Sequence, residues 1–149
     1  MKPTCPECGA TLPQGTTCQA IFDLFLNLEY SDPEYGQVHL LTVACFMIQH
    51  GRYSDEALRW MEQQLRLVLD EGLPVERIRQ QAAREMSQGK RAWQVTRQPG
   101  APPLPQIAWS MTIADVAANY QDARTYRALV QRWARATLAE MQPLLSAQP

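Results

Sequence analysis

Apolar residues along this chain recur with helical rather than alternating spacing, and prolines and glycines cut the pattern into segments. Residues 1–17 hold Pro3, Pro6, Gly9, Pro13 and Gly15, which exclude both a helix interior and a central strand, so this stretch reads as a small knuckle. From Cys18 the pattern changes. Ile21, Phe22, Leu24, Phe25, Leu26 and Leu28 are apolar almost all round and predict a buried helix over 18–30. Ser31-Asp32-Pro33 ends it and starts the next, with Asp32 as a cap and Pro33 at the first helical position. That second helix, 33–50, carries two apolar rows: Val38, Leu41, Cys45 and Ile48, then Leu40, Val43, Ala44 and Met47. A helix apolar on most faces belongs at the centre of a fold. Gly51 ends it.

Ser54, Asp55 and Glu56 open a third helix that runs to Gly72, with Leu58, Met61, Leu65 and Val68 as its apolar stripe. Gly72-Leu73-Pro74 stops it. A thinner helix over 75–88 turns Ile78, Ala82 and Met86 to the core, and Gly89 closes it. Residues 90–111 break the periodicity. The run from Gln98 to Pro105 reads as an extended surface loop, with Trp93 and Trp109 pinning its ends. Thr112-Ile-Ala-Asp115 then matches a capping box, followed by a short helix with Ile113, Val116 and Ala117. The last helix, 122–142, has the stripe Tyr126, Leu129, Val130, Trp133, Thr137 and Met141. Residues 92–96 can add at most a short strand. The prediction is an all-α fold, a compact helical bundle of about five to six helices with an N-terminal zinc knuckle. It is read as one domain, with the knuckle at 1–17, a helical core at 18–89, a Pro-rich loop at 90–111 and C-terminal helices at 112–142.

Composition changes this picture little: 46% hydrophobic, 19% charged and 8% aromatic residues describe an ordinary globular chain rather than a disordered one. Charge adds an asymmetry. Residues 1–74 hold four Lys/Arg against ten Asp/Glu, whereas residues 75–149 hold ten against five. Two parts of one bundle attracting each other account for that, and so does a basic face for an acidic partner. The start, Met-Lys-Pro-Thr-Cys-Pro, has no apolar run of a secretory leader, and no stretch approaches a membrane span. A cytoplasmic, reducing setting of bacterial type is the expectation, where paired cysteines are more often metal ligands than disulfides.

Candidate chemistry centres on Cys5-Pro-Glu-Cys8-Gly9. Cysteines three apart place both sulfurs on one tetrahedral ion, and soft thiolates favour zinc over magnesium or calcium. Cys18, at a helix start where the dipole favours a thiolate, is the third ligand. A redox Cys-x-x-Cys pair would sit beside a βαβ pattern, which is absent. For the fourth ligand the candidates are His39, His50 and Cys45. On one helix His39 and Cys45 differ by about 600° and face opposite ways, while His39 and His50 share a face but lie about 16 Å apart. His39, nearer the knuckle in sequence, is the expected ligand. Cys45, in an apolar row, is expected as a small buried hydrophobe. Three sulfurs and one nitrogen make a closed, structural zinc site. His50 is then left as a weak catalytic candidate, with Glu29, Asp32 and Glu34 the nearby acids in sequence. On the last helix Arg124, Arg127, Gln131 and Arg135 recur at helical spacing with Arg132 beside them, a solvated face or a weak site for nucleic acid or another partner.

Three segments carry a resemblance when taken together: Cys5-Pro-x-Cys8-Gly9 with Cys18; Tyr35-Gly-x-Val38-His39-x-Leu41-Thr42-Val43 followed by Gln49-His50; and Thr112-Ile-Ala-Asp115-Val116 followed by Trp133-Ala134. The chain resembles a family of small bacterial proteins known only as a domain of unknown function. The resemblance implies roles for both His39 and His50. It implies a proline after the second histidine, where this chain has Gly51, and a further histidine early in the last helix, where it has Tyr126. It implies no particular reaction. The functional expectation is therefore a non-enzymatic, zinc-stabilised interaction or regulatory module with a protein partner, as a subunit of a larger complex. The alternatives are a small enzyme pairing His50 with Glu29 or Asp32 beneath the Pro-rich loop, and nucleic-acid binding through Arg124, Arg127, Arg132 and Arg135.

Overall fold

A computed structural model describes residues 3–87 and 94–147, and it is helical. Met86, expected at the core, and Trp93, expected to pin the loop, have side chains outside what is described. Eight helices follow in order: α1 (Cys18–Ser31), α2 (Pro33–Gly36), α3 (His39–Gln49), α4 (Asp55–Leu69), α5 (Val75–Ser87), α6 (Ile113–Asn119), α7 (Ala123–Glu140) and α8 (Gln142–Ser146). Among the described residues there is no strand, only two isolated bridges, Thr4 to Thr11 and Tyr53 to Thr96. Of the stretch 92–96, where the sequence allows a short strand, residues 92 and 93 lie outside the described residues, and the rest holds only the bridge at Thr96. No helix among these residues is long and apolar enough to cross a membrane.

The starts obey the capping chemistry of the sequence. Thr17 Oγ1 accepts the Ala20 N–H before α1, Asp32 accepts that of Glu34 before α2, and Ser54 accepts that of Ala57 before α4. At α6 the Asp115 carboxylate takes the Thr112 N–H at 2.8 Å. At α7, Asp122 and Thr125 cap each other reciprocally.

The helix predicted over 33–50 is broken once, and α8 is an additional helix beyond the one predicted over 122–142, which is why the count exceeds six. Pro143 fits the start of α8 but not the continuation of α7. The break, at Gln37–Val38, separates α2 from α3. Just before it Gly36 lies close against α1, where a Cβ would stand 2.7 Å from the Glu29 carbonyl oxygen.

α3 is the central helix, with Leu41, Ala44, Cys45, Phe46 and Ile48 buried. It runs antiparallel to α1: Phe22 stacks on Phe46 at one end, and Glu29 meets His39 and Thr42 at the other. α7 crosses the same core with Tyr126, Val130, Trp133 and Thr137, each with essentially no exposed surface. α4 adds Leu58, Met61 and Leu65 on its single stripe. Cys45 is fully enclosed, as its apolar row predicts, and burial pushes its thiol up to about 12.

The charge asymmetry is used inside the fold. Arg127 bonds both the carbonyl and the carboxylate of Glu34, at 2.9 and 3.0 Å, and Arg97 pairs with Asp55 at 2.8 Å. The Pro-rich segment forms a strap. Arg97 also donates to the Pro102 carbonyl, and Gln106 Nε2 donates to Pro6 O at 2.7 Å, tying the strap to the knuckle.

Candidate metal centre

The knuckle is a tight reversal. Cys5 N–H donates to Ala10 O at 2.8 Å, and Gly9 N–H donates to Cys5 O at 2.9 Å. Gly9 sits at φ +78°, a left-handed conformation that a side chain disfavours. This turn aims the Cys5 and Cys8 side chains inward. Cys18 is the first residue of α1, directly after its Thr17 cap. His50 closes α3. Because α1 and α3 are antiparallel, the start of one and the end of the other lie together.

The result is a four-donor cluster. The three sulfurs and a His50 ring nitrogen all lie within 4.8 Å of one another, and all four residues are buried. Cys8 Sγ and Cys18 Sγ are 3.6 Å apart. A tetrahedral zinc site with bonds of about 2.3 Å sets its sulfurs about 3.8 Å apart, so the spacing fits.

The histidine has the correct tautomer for the task. His50 Nδ1 lies 2.8 Å from Phe46 O, a pure acceptor, so Nδ1 carries the proton and Nε2 carries the lone pair. Nε2 is buried yet has no protein hydrogen-bond partner. A buried imidazole nitrogen without a donor, beside three cysteines free of disulfides, is what a metal ligand held by a backbone carbonyl behind it would present. The Phe46 ring, stacked on His50 at 4.2 Å and on Phe22 at 3.9 Å, walls the cluster off from the rest of the core.

The electrostatics agree. The hydrogen bond from Cys18 holds the Cys8 thiol down to about 4, against the upward push of burial. The same contact, together with burial, drives Cys18 the other way. A soft dication bound between these two sulfurs would take the place of the proton between them.

His39 is elsewhere. It was the expected fourth ligand, but it stands at the opposite end of α3 with Nδ1 2.7 Å from Glu29 Oε1. The break between α2 and α3 and the antiparallel return of α3 are the reasons: the histidine nearer in sequence is the farther in space. The acid–base pair of His50 with Glu29 or Asp32 is likewise not formed. Glu29 bonds His39, and Asp32 caps α2. The His50 ring nitrogens instead stand against the Phe46 carbonyl and the three cysteine sulfurs.

The Glu29 cluster escaped sequence reasoning as a unit. Its carboxylate, almost wholly enclosed, accepts from His39 Nδ1 at 2.7 Å, from Thr42 Oγ1 at 2.6 Å and from the Tyr126 hydroxyl. The available signal was a glutamate on the same helical face as Phe22 and Phe25. Burial and the neighbouring carboxylate push Tyr126 far above the usual tyrosine range.

The arginine row is partly dismantled. Arg127 is bonded to Glu34, and Arg135 donates to Leu69 O at 3.1 Å. Arg132 and Arg135 border a shallow cleft with Asp115, and Arg124 stands near the Asp122 carboxylate.

The chain belongs to a family described as a family of unknown function (DUF5946), whose model matches residues 3–142. Comparison with curated proteins and with solved structures gives no match.

Proposed function

We propose that this member of DUF5946 is a zinc-stabilised helical interaction module, with the ion as a structural clasp rather than a reaction centre. The observation that carries the reading is the buried Cys5, Cys8, Cys18 and His50 set, whose fourth donor, His50 Nε2, has no other partner. Four protein donors complete a tetrahedral shell and leave no position for a substrate or an activated water. Cys5 and Cys8 would hold the ion from the knuckle, and Cys18 and His50 from the ends of α1 and α3. Bound zinc would supply a cross-link between a knuckle too small to fold alone and the central helix pair.

With the metal so enclosed, function moves to the outer surface. The strap over residues 97–107 and the arginines left on α7 are the surfaces we assign to a protein partner within a larger cytoplasmic assembly. The purified chain should hold one zinc per molecule, and a chelator should lower its melting temperature. A Cys5→Ser/Cys8→Ser double variant with unchanged zinc content and unchanged melting temperature overturns the structural-clasp reading. Affinity capture from the native host tests the interaction reading separately, against a strap-replaced variant. A stoichiometric partner retained by the wild-type chain and lost by the variant is the expected outcome, and the same proteins recovered with both speak against it.

A further inference from the structure

The strap has a regular form of its own. The chain enters it through a turn, in which the Ala101 N–H donates to Gln98 O at 3.0 Å across Pro99 and Gly100. From there proline sets the backbone. The rings of Pro102, Pro103 and Pro105 fix φ at about −65°, and Ala101, Pro102 and Leu104, each followed by a proline, are held extended. That conformation is polyproline II, with about three residues per turn. Burial follows the same period. Ala101, Leu104 and Ile107 are half-buried, whereas Pro102, Pro103, Pro105 and Gln106 between them are exposed. A strand would alternate at every second residue instead.

One edge of the strap therefore lies on the body and two ridges face outward, Pro102 with Pro105 and Pro103 with Gln106. The inward edge is seated. A Cβ on Gly51, just beyond α3, would stand 3.8 Å from Leu104 Cδ1, and Ile107 packs against the core. Both ends are tied. Arg97, paired with Asp55 at 2.8 Å, also donates to the Pro102 carbonyl, and Gln106 Nε2 donates to Pro6 O at 2.7 Å. The outward ridges carry no charge: between Gln98 and Ala114 there is no Asp, Glu, Lys or Arg. That speaks against a phosphate backbone or an anionic membrane as the ligand.

We infer, resting on the reading of the chain as an interaction module, that the strap is a polyproline II ligand and that its partner is a protein with a shallow cleft of aromatic rings. Flat aromatic faces receive proline rings that repeat about 9 Å apart along a ridge, here Pro102 and Pro105. The Pro102 carbonyl is already taken by Arg97, so the rings rather than that carbonyl carry the contact. Because the fold holds the strap in this conformation beforehand, docking costs little conformational entropy.

The test exposes the immobilised full chain, with its metal, to a lysate of the native host. The retained protein is challenged with two synthetic peptides: residues 98–107, and the same segment carrying Pro102→Gly, Pro103→Gly and Pro105→Gly. The first should release it and the second should not, since polyproline II needs no surrounding fold to form. The released protein, made recombinantly, is then titrated against the full chain by calorimetry. A Pro103→Ala/Pro105→Ala double variant should bind at least about tenfold more weakly, with zinc content and melting temperature unchanged. The first peptide should also shift the partner's tryptophan or tyrosine emission. Release by neither peptide, equal release by both, undiminished affinity of the folded double variant, or an unchanged emission spectrum each overturns the inference. In those cases a partner still lost by the strap-replaced chain leaves the interaction reading standing. Capture of no partner by the wild-type chain overturns both.

Discussion

His39 Nδ1 lies 2.7 Å from Glu29 Oε1, and this contact links the start of α3 to the last turn of α1 in the interior of the bundle. The Glu29 carboxylate also holds Thr42 from α3 and Tyr126 from α7, so a single side chain connects three helices. A charge so enclosed is tolerated because every donor around it is aimed at it.

Truncating that acceptor should therefore be severe. Glu29→Ala deprives the buried Tyr126 hydroxyl and the half-buried His39 of their acceptor, leaves Thr42 with the Val38 carbonyl alone, and is expected to destabilise the fold by about 1–3 kcal/mol. Urea denaturation followed by circular dichroism measures it. A change within error of zero shows that the cluster contributes no stability.

The two histidines should separate cleanly in metal content. His50→Ala should lose most bound zinc, whereas His39→Ala should retain one equivalent while losing stability. Zinc released on denaturation, quantified with a chromogenic chelator, reads both. Retention by the first variant and loss by the second reverses the assignment.

Gly36 is expected to tolerate no larger residue. A Cβ there meets the Glu29 carbonyl oxygen at 2.7 Å, and backbone on both sides has little room to yield. Gly36→Ala should cost about 1–3 kcal/mol through overpacking, although alanine is ordinarily the better helix former. A neutral or stabilising result in the same denaturation assay means that α2 shifts freely against α1.

Alkaline pH should unfold the chain through buried neutral acids. Cys45 is pushed from 9.0 up to about 12, and Tyr126 is raised from 10.0. A raised folded-state pKa gives stability that is complete below the unfolded value and is lost as pH rises toward the folded one. Stability should thus begin to fall near pH 9 and more steeply past pH 10, by about 1.4 kcal/mol per pH unit for each group that ionises only on unfolding. Cys45→Ala removes the first of these groups and should flatten the limb between pH 9 and 10, read as the denaturation midpoint against pH. An unaltered slope means that Cys45 does not control it.

Local chemistry made much of this protein legible before any coordinates. Cys5, Cys8 and Cys18 declare themselves because their spacing and the Gly9 turn act over a few residues. The starts of α2, α4 and α6 follow from Asp32, Ser54 and Thr112, since a cap is a contact across two or three residues. The central place of α3 follows from its apolar rows, and the enclosure of Cys45 from the row in which it stands.

The choice between His39 and His50 was not local. It depends on α1 carrying the chain about 20 Å away from Cys18 and on α3 bringing it back. It also depends on the break between α2 and α3, beside which Gly36 approaches the Glu29 carbonyl of a different helix. Long stretches of chain likewise separate Glu29 from Tyr126 and Pro6 from Gln106, 97 and 100 residues apart. Sequence alone determined which residues have the chemistry of ligands, caps and core. Only the tertiary structure decided which histidine meets the sulfurs and which meets the carboxylate, because that depends on the antiparallel packing of two helices.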